Sequence, residues 1–566
     1  MKKNSFSNLT IPVLLLLDGL TCTFIAVFAD QLGIDPAPNW GRFRYMLLSL
    51  GVGLLFFTIF LFLSNKMDFR FLASIQKVEW IKTAFLLSHI WLGIFIIYTW
   101  FITFGTFTNW GKSTRYYMQL ADAFAQGQLN IDTHPGEALL SSEDPYSSTA
   151  RAPFDDEIWD MSLYNEKLYL YWGPVPALII TPIQIVSNAS ITDIYLVYFF
   201  LCGLLIFNSL IILKLWRLFF TETPARAVVL CIFLIGCILP ILWSLNIPDV
   251  YEAAIGAGQF FLIGGIYFAI LAFENGIKKR HLVLTGLFWA CSVGSRAINV
   301  FPILFLTALT LFSLWKNHPN PIHWKKITPL AVALLAPLAF GAILIGWYNW
   351  ARFDNLFEFG LRYQITIYNL NRNMHLVFHP GYFPFNFYAY LFQPFEFITH
   401  FPFIQPIKTS ELMKNLGIAT PHLFSGGRVT GILFHAPFLF LAILPFLSKK
   451  TSEQNTTPKP QLLNFILHAL SGSFLISFAT ILFYFYGQMR FLVDLISQIT
   501  LLAIIGYWLI IQNSKSSKTY LHLANLLVAI TLAASLLLSF SSETNRMGKV
   551  NPALMEKINS FFVPQK

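Results

Sequence analysis

The stretch LAVALLAPLAFGAILIGW, Leu330 to Trp347, runs 18 residues without a charged side chain. A run of about 20 apolar residues is what a helix needs to cross the hydrocarbon core of a bilayer. A membrane barrel would show segments of about 10 residues with alternating polarity, and this run does not alternate. Comparable runs fall at about 9–29, 43–63, 83–104, 193–213, 227–244, 257–274, 282–297, 299–315, 327–350, 430–447, 463–484, 491–512 and 521–541. The composition agrees, with 56% hydrophobic and only 12% charged residues and a mean hydropathy of +0.60. Soluble domains carry nearer a quarter charged residues, so a water-soluble fold is excluded. The fold class is an all-α polytopic membrane protein with about 13 transmembrane helices. An aromatic share of 17%, with 58 Phe, suits lipid-facing helices and interfacial belts.

The 38 Lys and Arg exceed the 28 Asp and Glu by 10, but in a membrane protein such an excess signals topology before it signals nucleic acid, and no nucleic-acid partner is expected. With the N-terminus in the cytoplasm, the loops holding Lys66/Arg70/Lys77/Lys82, Lys214/Arg217/Arg226, Lys278/Lys279/Arg280, Lys316/Lys325/Lys326, Lys449/Lys450/Lys459 and Lys515/Lys518 all fall on the cytoplasmic side. That arrangement places the protein in the inner (plasma) membrane as a multi-pass chain with an extracytoplasmic C-terminus. The alternation holds only if Pro174 to Ser190, short and carrying Pro174, Pro176 and Pro182, does not cross. We read it as a re-entrant segment whose backbone is satisfied by protein or a cavity. Five cysteines, Cys22, Cys202, Cys231, Cys237 and Cys291, lie inside apolar runs and read as small buried hydrophobes. The first apolar run contains Asp18 and lacks a small-residue cleavage site, so a cleaved leader is not expected.

The chain divides into an N-terminal two-helix part (1–82), a transmembrane core (83–350) that includes a first outer loop (105–173), a second outer loop (351–429), C-terminal helices (430–541) and an outer tail (542–566). Long non-spanning segments tend to be functional. The first loop begins with a helix-like stretch in which Tyr117, Leu120, Ala121 and Phe124 share a face, which predicts an amphipathic surface helix ended by Gly127. Acidic residues then concentrate, densest at Asp155-Asp156-Glu157-Ile158-Trp159-Asp160. On a helix Asp156 and Asp160 would share a face, and such closeness raises one carboxyl toward the range of a general base or holds a divalent cation through oxygen ligands. A solvated acidic loop is the plain alternative for any single carboxylate. Trp159, Tyr164, Tyr169, Tyr171 and Trp172 stand beside the cluster. Aromatic faces beside hydroxyl acceptors are what a sugar ring needs.

Arginines fall on the same side. Arg296 lies a helix length beyond the Lys278–Arg280 cluster, Arg490 opens a spanning segment, and Arg362 lies in the second loop. Guanidinium binds phosphate bidentately and keeps its charge, so these arginines suit a lipid-linked phosphate. For Arg490 an ion pair with Asp494 four residues on is the competing role. Arg352 reads as an interfacial anchor paired with Asp354. Tyr251 and Glu252 either close the same cavity or cap the next helix.

Taken together, the Tyr-Tyr surface helix with Ala121-Asp122-Ala123-Phe124, the run Trp159-Asp160-Met161-Ser162-Leu163-Tyr164-Asn165 leading to Tyr171-Trp172-Gly173-Pro174-Val175-Pro176, Gly294-Ser295-Arg296, Phe359-Gly360-Leu361-Arg362-Tyr363-Gln364 and Arg490-Phe491-Leu492-Val493-Asp494 resemble the GT-C membrane glycosyltransferases. That group includes protein O-mannosyltransferases, lipid A aminoarabinose transferases and rhizobial core glycosyltransferases. The resemblance covers roughly residues 83 to 512. It implies a GT-C-like bundle that moves a sugar, with inversion, from a polyprenyl-phosphate carrier to a lipid, glycan or protein acceptor at the outer face. It also implies an acidic base in the first outer loop and often a second carboxylate or a metal. Members carry an acidic pair where this chain has Gly111-Lys112-Ser113-Thr114-Arg115, which moves the expected base to Asp156 or Asp160, with Asp122 in reserve. Arg296, Arg362 and Arg490 are then the expected phosphate ligands. Asp155, Glu157, Trp159, Tyr164, Tyr171, Trp172 and Glu252 are expected to hold sugar or acceptor, and a magnesium or manganese ion, if present, would sit on Asp155, Asp156 and Glu157. A flippase, or a polymerase or ligase of lipid-linked glycans, is the alternative reading.

Overall fold

The computed structural model describes residues 10–30, 32, 34, 41–64, 79–111, 113–147, 158–187, 189–274, 276–316, 324–421, 423–447, 459–513, 518–541 and 546–562. Asp155, Asp156 and Glu157 lie outside the described residues. The long helices are α1 (Thr10–Phe28), α2 (Arg42–Ser64) and α3 (Glu79–Ile102), then the short α4 (Tyr116–Ala125) and α5 (Val175–Ser187). Next come α6 (Asp193–Phe219), α7 (Ala225–Cys237), α8 (Leu239–Asn246), α9 (Val250–Glu274), α10 (Lys279–Ser295), α11 (Val300–Lys316) and α12 (Trp324–Phe353). The chain closes with α13 (Pro460–Leu482), α14 (Val493–Asn513), α15 (Lys518–Ser539) and α16 (Pro552–Phe562). Among the described residues 9 helices are long and apolar enough to cross a membrane, or 10 if the bent pair α7 and α8 counts as one span. The protein is a multi-pass helical membrane protein.

Three expected spans are built differently. The segment expected at 227–244 bends by 42° between α7 and α8, where Pro240 at the start of α8 supplies no N–H for a continuous ladder. The segment expected at 282–297 is the 17-residue α10, ending at Ser295. The segment expected at 430–447 breaks into Ile432–His435, a 3-10 turn over Pro437–Ile443, and Leu444–Leu447. Pro437 and Pro445 each remove a donor, and before Pro437 the backbone of Ala436 leaves helical geometry, at φ −143° and ψ 56°.

The two ends of the bundle are held by different contacts. At one end the ion pair Lys214–Glu274 (2.7 Å) and the Arg217 to Thr83 hydrogen bond (2.9 Å) tie the ends of α6, α9 and α3 together. At the other, here the loop end, the long loops and the tail meet. Arg546 of the tail reaches Asp249 at 3.1 Å, and Asn551 donates to the Phe104 carbonyl at 2.9 Å. Helix α5 is 13 residues long, about 20 Å at 1.5 Å per residue, too short to cross. It leaves Gly173, packed on the Gly294 carbonyl, and the next helix begins at Asp193, whose N–H bonds Thr114. Both neighbours lie at the loop end, so the segment begins and ends at the same end of the bundle.

The two long loops are stitched to each other. Residues 162–164 (β1) and 167–169 (β2) form an antiparallel hairpin, turned by Asn165 and Glu166 at φ 48° and 60°, the left-handed pair that a two-residue hairpin turn demands. Ser162 also bridges to Gln364 of the second loop. Next to that bridge, Asp160 N–H donates to the Ile365 carbonyl and Ile365 N–H to the Met161 carbonyl, both at 2.8 Å. Arg352 is buried and donates to the Leu170 carbonyl at 2.6 Å, with its guanidinium 3.7 Å from the Tyr348 ring centre. It does not pair with Asp354, which accepts from Tyr164 instead.

Candidate functional site

The predicted amphipathic helix is α4, and its buried face includes Tyr117, Leu120 and Ala121 as the spacing predicts. Its first turn is capped from a distance. The Asp193 carboxylate, fully buried, accepts from the N–H groups of Tyr116 and Tyr117 at 3.1 Å each and from the Thr114 hydroxyl at 2.5 Å. An oxygen acceptor on the orphan N–H groups of a helix start is worth about 1 kcal/mol, and here it fixes where Tyr116 points. The Tyr116 hydroxyl donates to the Trp159 carbonyl, and its ring lies 5.8 Å from that of Trp172.

The next residue is Asp160. It is 6% exposed and sits at φ 63°, in a turn just before β1 and not on a helix, so the expected shared helical face with Asp156 does not exist at Asp160. Left-handed backbone is uncommon outside glycine and costs of order 1 kcal/mol or more; the paired loops impose it. The carboxylate accepts from the Tyr251 hydroxyl at 2.5 Å and from the Gln364 amide at 3.0 Å. The Tyr251 ring stands edge-on to Trp172 at 4.9 Å, and the Arg490 guanidinium lies 3.9 Å from its centre.

Two buried ion pairs complete the cluster. Arg296 donates through Nε and Nη2 to Asp494 Oδ2 at 2.9 and 2.6 Å. Arg490 reaches Glu252 at 3.4 Å, so the expected pairing of Arg490 with Asp494 is replaced by a crossed arrangement. Glu252 Oε2 and Asp494 Oδ1 are buried with no hydrogen-bond partner among the described residues. A buried acceptor left unpaired costs about 1–3 kcal/mol, so each is a place where a hydroxyl donor gains more than it would in water. Tyr484 joins from the turn before α14. Burial pushes its hydroxyl up to about 12, against the pull of Arg296 and Arg490. Burial likewise raises Tyr171, which shares the fields of Asp160, Arg490 and Arg296.

The structure thus brings Asp160, Arg296, Arg490, Glu252, Tyr171 and Trp172 into one cluster. Tyr164 lies apart, in a ring group with Phe353 and Tyr363. Trp159 is 39% exposed, and Arg362 is largely exposed, 3.9 Å from Glu358. Asp122 faces another cavity and accepts from Gln184 at 2.7 Å; burial raises its carboxyl above the ordinary value. Gln364, Asp494 and Tyr484 were not singled out in the sequence as site residues. A cation needs several convergent oxygen ligands, and among the described residues no three His, Cys, Asp or Glu side chains converge.

No protein-family model matches the chain, and no curated protein matches it either. Solved structures it is similar to include the Archaeoglobus fulgidus oligosaccharyltransferase in the apo form, at 13% identity and a TM-score of 0.44, over 81% of this chain and 56% of that one. Another is that oligosaccharyltransferase tethered to an acceptor peptide with the NVT sequon, at 12% identity and a TM-score of 0.46, over 82% and 56%. A third is oligosaccharyltransferase AglB from the same organism with an inhibitory peptide and a dolichol-phosphate, at 13% identity and a TM-score of 0.39, over 82% and 57%. The chain spans a little over half the length of these structures. At these TM-scores the likeness assigns no activity, and a functional reading rests on the geometry of the site.

Proposed function

We propose that the protein is a membrane glycosyltransferase of GT-C type, which moves a sugar from a polyprenyl-phosphate carrier to a hydroxyl-bearing acceptor at the loop end, the extracytoplasmic face of the plasma membrane. The observation that carries the reading is the placement of one buried carboxylate, Asp160, in the same cluster as two arginines at the membrane end of the bundle. Asp160 is the general base, held in one orientation by Tyr251 and Gln364. It takes the proton of the acceptor hydroxyl as that oxygen attacks C1 of the sugar from the face opposite the phosphate. The C1–O bond to phosphate breaks, its electron pair leaves with the phosphate, and the configuration at C1 inverts.

Arg296 and Arg490 stabilise the charge that develops on the departing phosphate. Donors fixed before the reaction need no reorganisation as the charge grows, and Asp494 and Glu252 keep both guanidinium groups in place while no donor is bound. Two N–H groups of Arg296 engage one Asp494 oxygen, and a guanidinium has five N–H groups, so it can hold carboxylate and phosphate together. The unpaired oxygens of Glu252 and Asp494 accept sugar hydroxyls, and Trp172 and Tyr171 supply an apolar ring face. The acceptor is a lipid, glycan or protein.

The purified full chain in nanodiscs, given a panel of radiolabelled polyprenyl-phospho-monosaccharides and a membrane lipid extract, should release free polyprenyl phosphate. If labelled lipid instead crosses a proteoliposome bilayer with the sugar still attached, the flippase reading replaces this one.

A further inference from the structure

A cavity of about 460 Å³ opens between α4 and α5, lined by Gln119, Asp122, Gln126, Asp132, Gln184 and Ile185 with a few small neighbours. It lies apart from the Asp160 cluster. Tyr116, at the start of α4, faces that cluster, whereas Asp122 lies six residues on, about 9 Å along the axis and on another face of the helix. The polar lining consists wholly of amides and carboxylates. Two carboxylates with no cation among the lining side chains repel a phosphate, while carboxylates accept and amides both donate and accept, which is the chemistry of hydroxyl recognition.

Gln184 gives the cavity its second, independent mark. It is 9% exposed, and its Nε2 donates to Asp122 Oδ1 at 2.7 Å, which orients both groups. Its Oε1 is buried without a hydrogen-bond partner, an acceptor that a ligand hydroxyl would satisfy. Beside the cavity α5 exposes Leu178 (53%), Ile185 (59%) and Val186 (86%), an apolar flank suited to a helix lying in the membrane interface. The cavity volume falls in the usual range of about 300–1,000 Å³ for small-ligand sites.

We infer that the cavity between α4 and α5 binds an uncharged, hydroxyl-rich glycan headgroup at the membrane interface, and serves as the acceptor-side sugar subsite of the transfer reaction. Its role as acceptor subsite rests on the proposed function; the binding itself does not.

The test uses the full chain in nanodiscs with Ala125→Cys, an exposed position in the lining, labelled by a membrane-impermeant maleimide. One arm adds a mixture of methyl glycosides of the common hexoses and pentoses, a second places a diglucosyl diacylglycerol in the nanodisc, and a third adds inorganic phosphate. Severalfold slower labelling in the first arm identifies a soluble glycan, and in the second a lipid-borne one. Phosphate should leave the rate unchanged, and Gln184→Leu or Asp122→Asn in the Ala125→Cys background should each restore the unprotected rate. Labelling that neither sugar source slows, or that phosphate slows equally, overturns the inference, as does protection that survives both variants. Protection without consumption of any polyprenyl-phospho-sugar leaves the binding site standing and removes the transferase reading.

Discussion

Arg296 and Asp494, 198 residues apart, meet through two hydrogen bonds to a single carboxylate oxygen, at 2.9 and 2.6 Å, with the carboxylate 3% exposed. The contact locks the end of α10 against the start of α14, beside Asp160. Breaking a buried pair by removing one partner leaves an uncompensated charge and costs about 3–5 kcal/mol, whereas replacing both partners by apolar groups of similar volume is far milder. Asp494→Leu should therefore lower stability more than Arg296→Met with Asp494→Leu, as measured by SDS titration of helicity in mixed micelles. Equal loss in both variants would show that the pair contributes through packing and not through charge.

Gly173 and Gly294 cross at backbone level. A Cβ on Gly173 would overlap the Gly294 carbonyl, and one on Gly294 would strike Val175. Overpacking of this kind costs about 1–3 kcal/mol, and relief requires moving the end of α10 that leads into Arg296. Gly173→Ala should lose both stability and turnover. Gly53→Ala, where nothing lies within 4 Å, should lose neither in the same thermal and activity assays.

The cap that Asp193 places on α4 predicts a local effect. Asp193→Ala should cost about 1–2 kcal/mol and speed hydrogen exchange at the Tyr116 and Tyr117 amides by an order of magnitude or more. Exchange that is faster throughout the bundle, and not concentrated there, would show that Asp193 supports the fold as a whole.

Asp122 gives a pH dependence with a definite sign. Burial raises its carboxyl from the ordinary 3.8, and the Gln184 hydrogen bond opposes that rise. A group whose folded pKa is raised binds protons more tightly in the native state. Its stabilising contribution is thus present below the ordinary value and is lost as pH rises through the raised one. Thermal stability should fall slightly across that window, and Asp122→Asn should remove the fall. An unchanged slope in the variant would place the titrating group elsewhere.

Much of this was legible in the chain itself. Apolar runs gave most spans, and the short stretch with three prolines after Gly173 is the 13-residue α5. Asp160, Arg296 and Arg490 were legible as candidates because a charge at a membrane edge has few other uses. Their partners were not. Arg490 and Asp494 are four residues apart, a good spacing on an α-helix, but Met489–Leu492 is a 3-10 turn. At 3.0 residues per turn, positions four apart diverge by about 120°, so Arg490 turns to Glu252 and Asp494 is left for Arg296. Gln364 reaches Asp160 across 204 residues through loop pairing, and Tyr251 across 91 residues from the start of α9; neither contact carries a local signal. The same pairing holds Asp160 in a left-handed turn, where a helical reading of its spacing fails.

Asp160 acts as the base, and turnover of the Asp160→Asn variant is the measurement that decides it. Asparagine keeps the shape and can still accept from Tyr251, but it cannot take a proton. With a polyprenyl-phospho-sugar that the wild type consumes, release of polyprenyl phosphate by Asp160→Asn should fall by about 10²- to 10⁴-fold while donor binding and thermal stability stay near those of the wild type. Release at the wild-type rate by a folded Asp160→Asn variant would show that Asp160 is not the base.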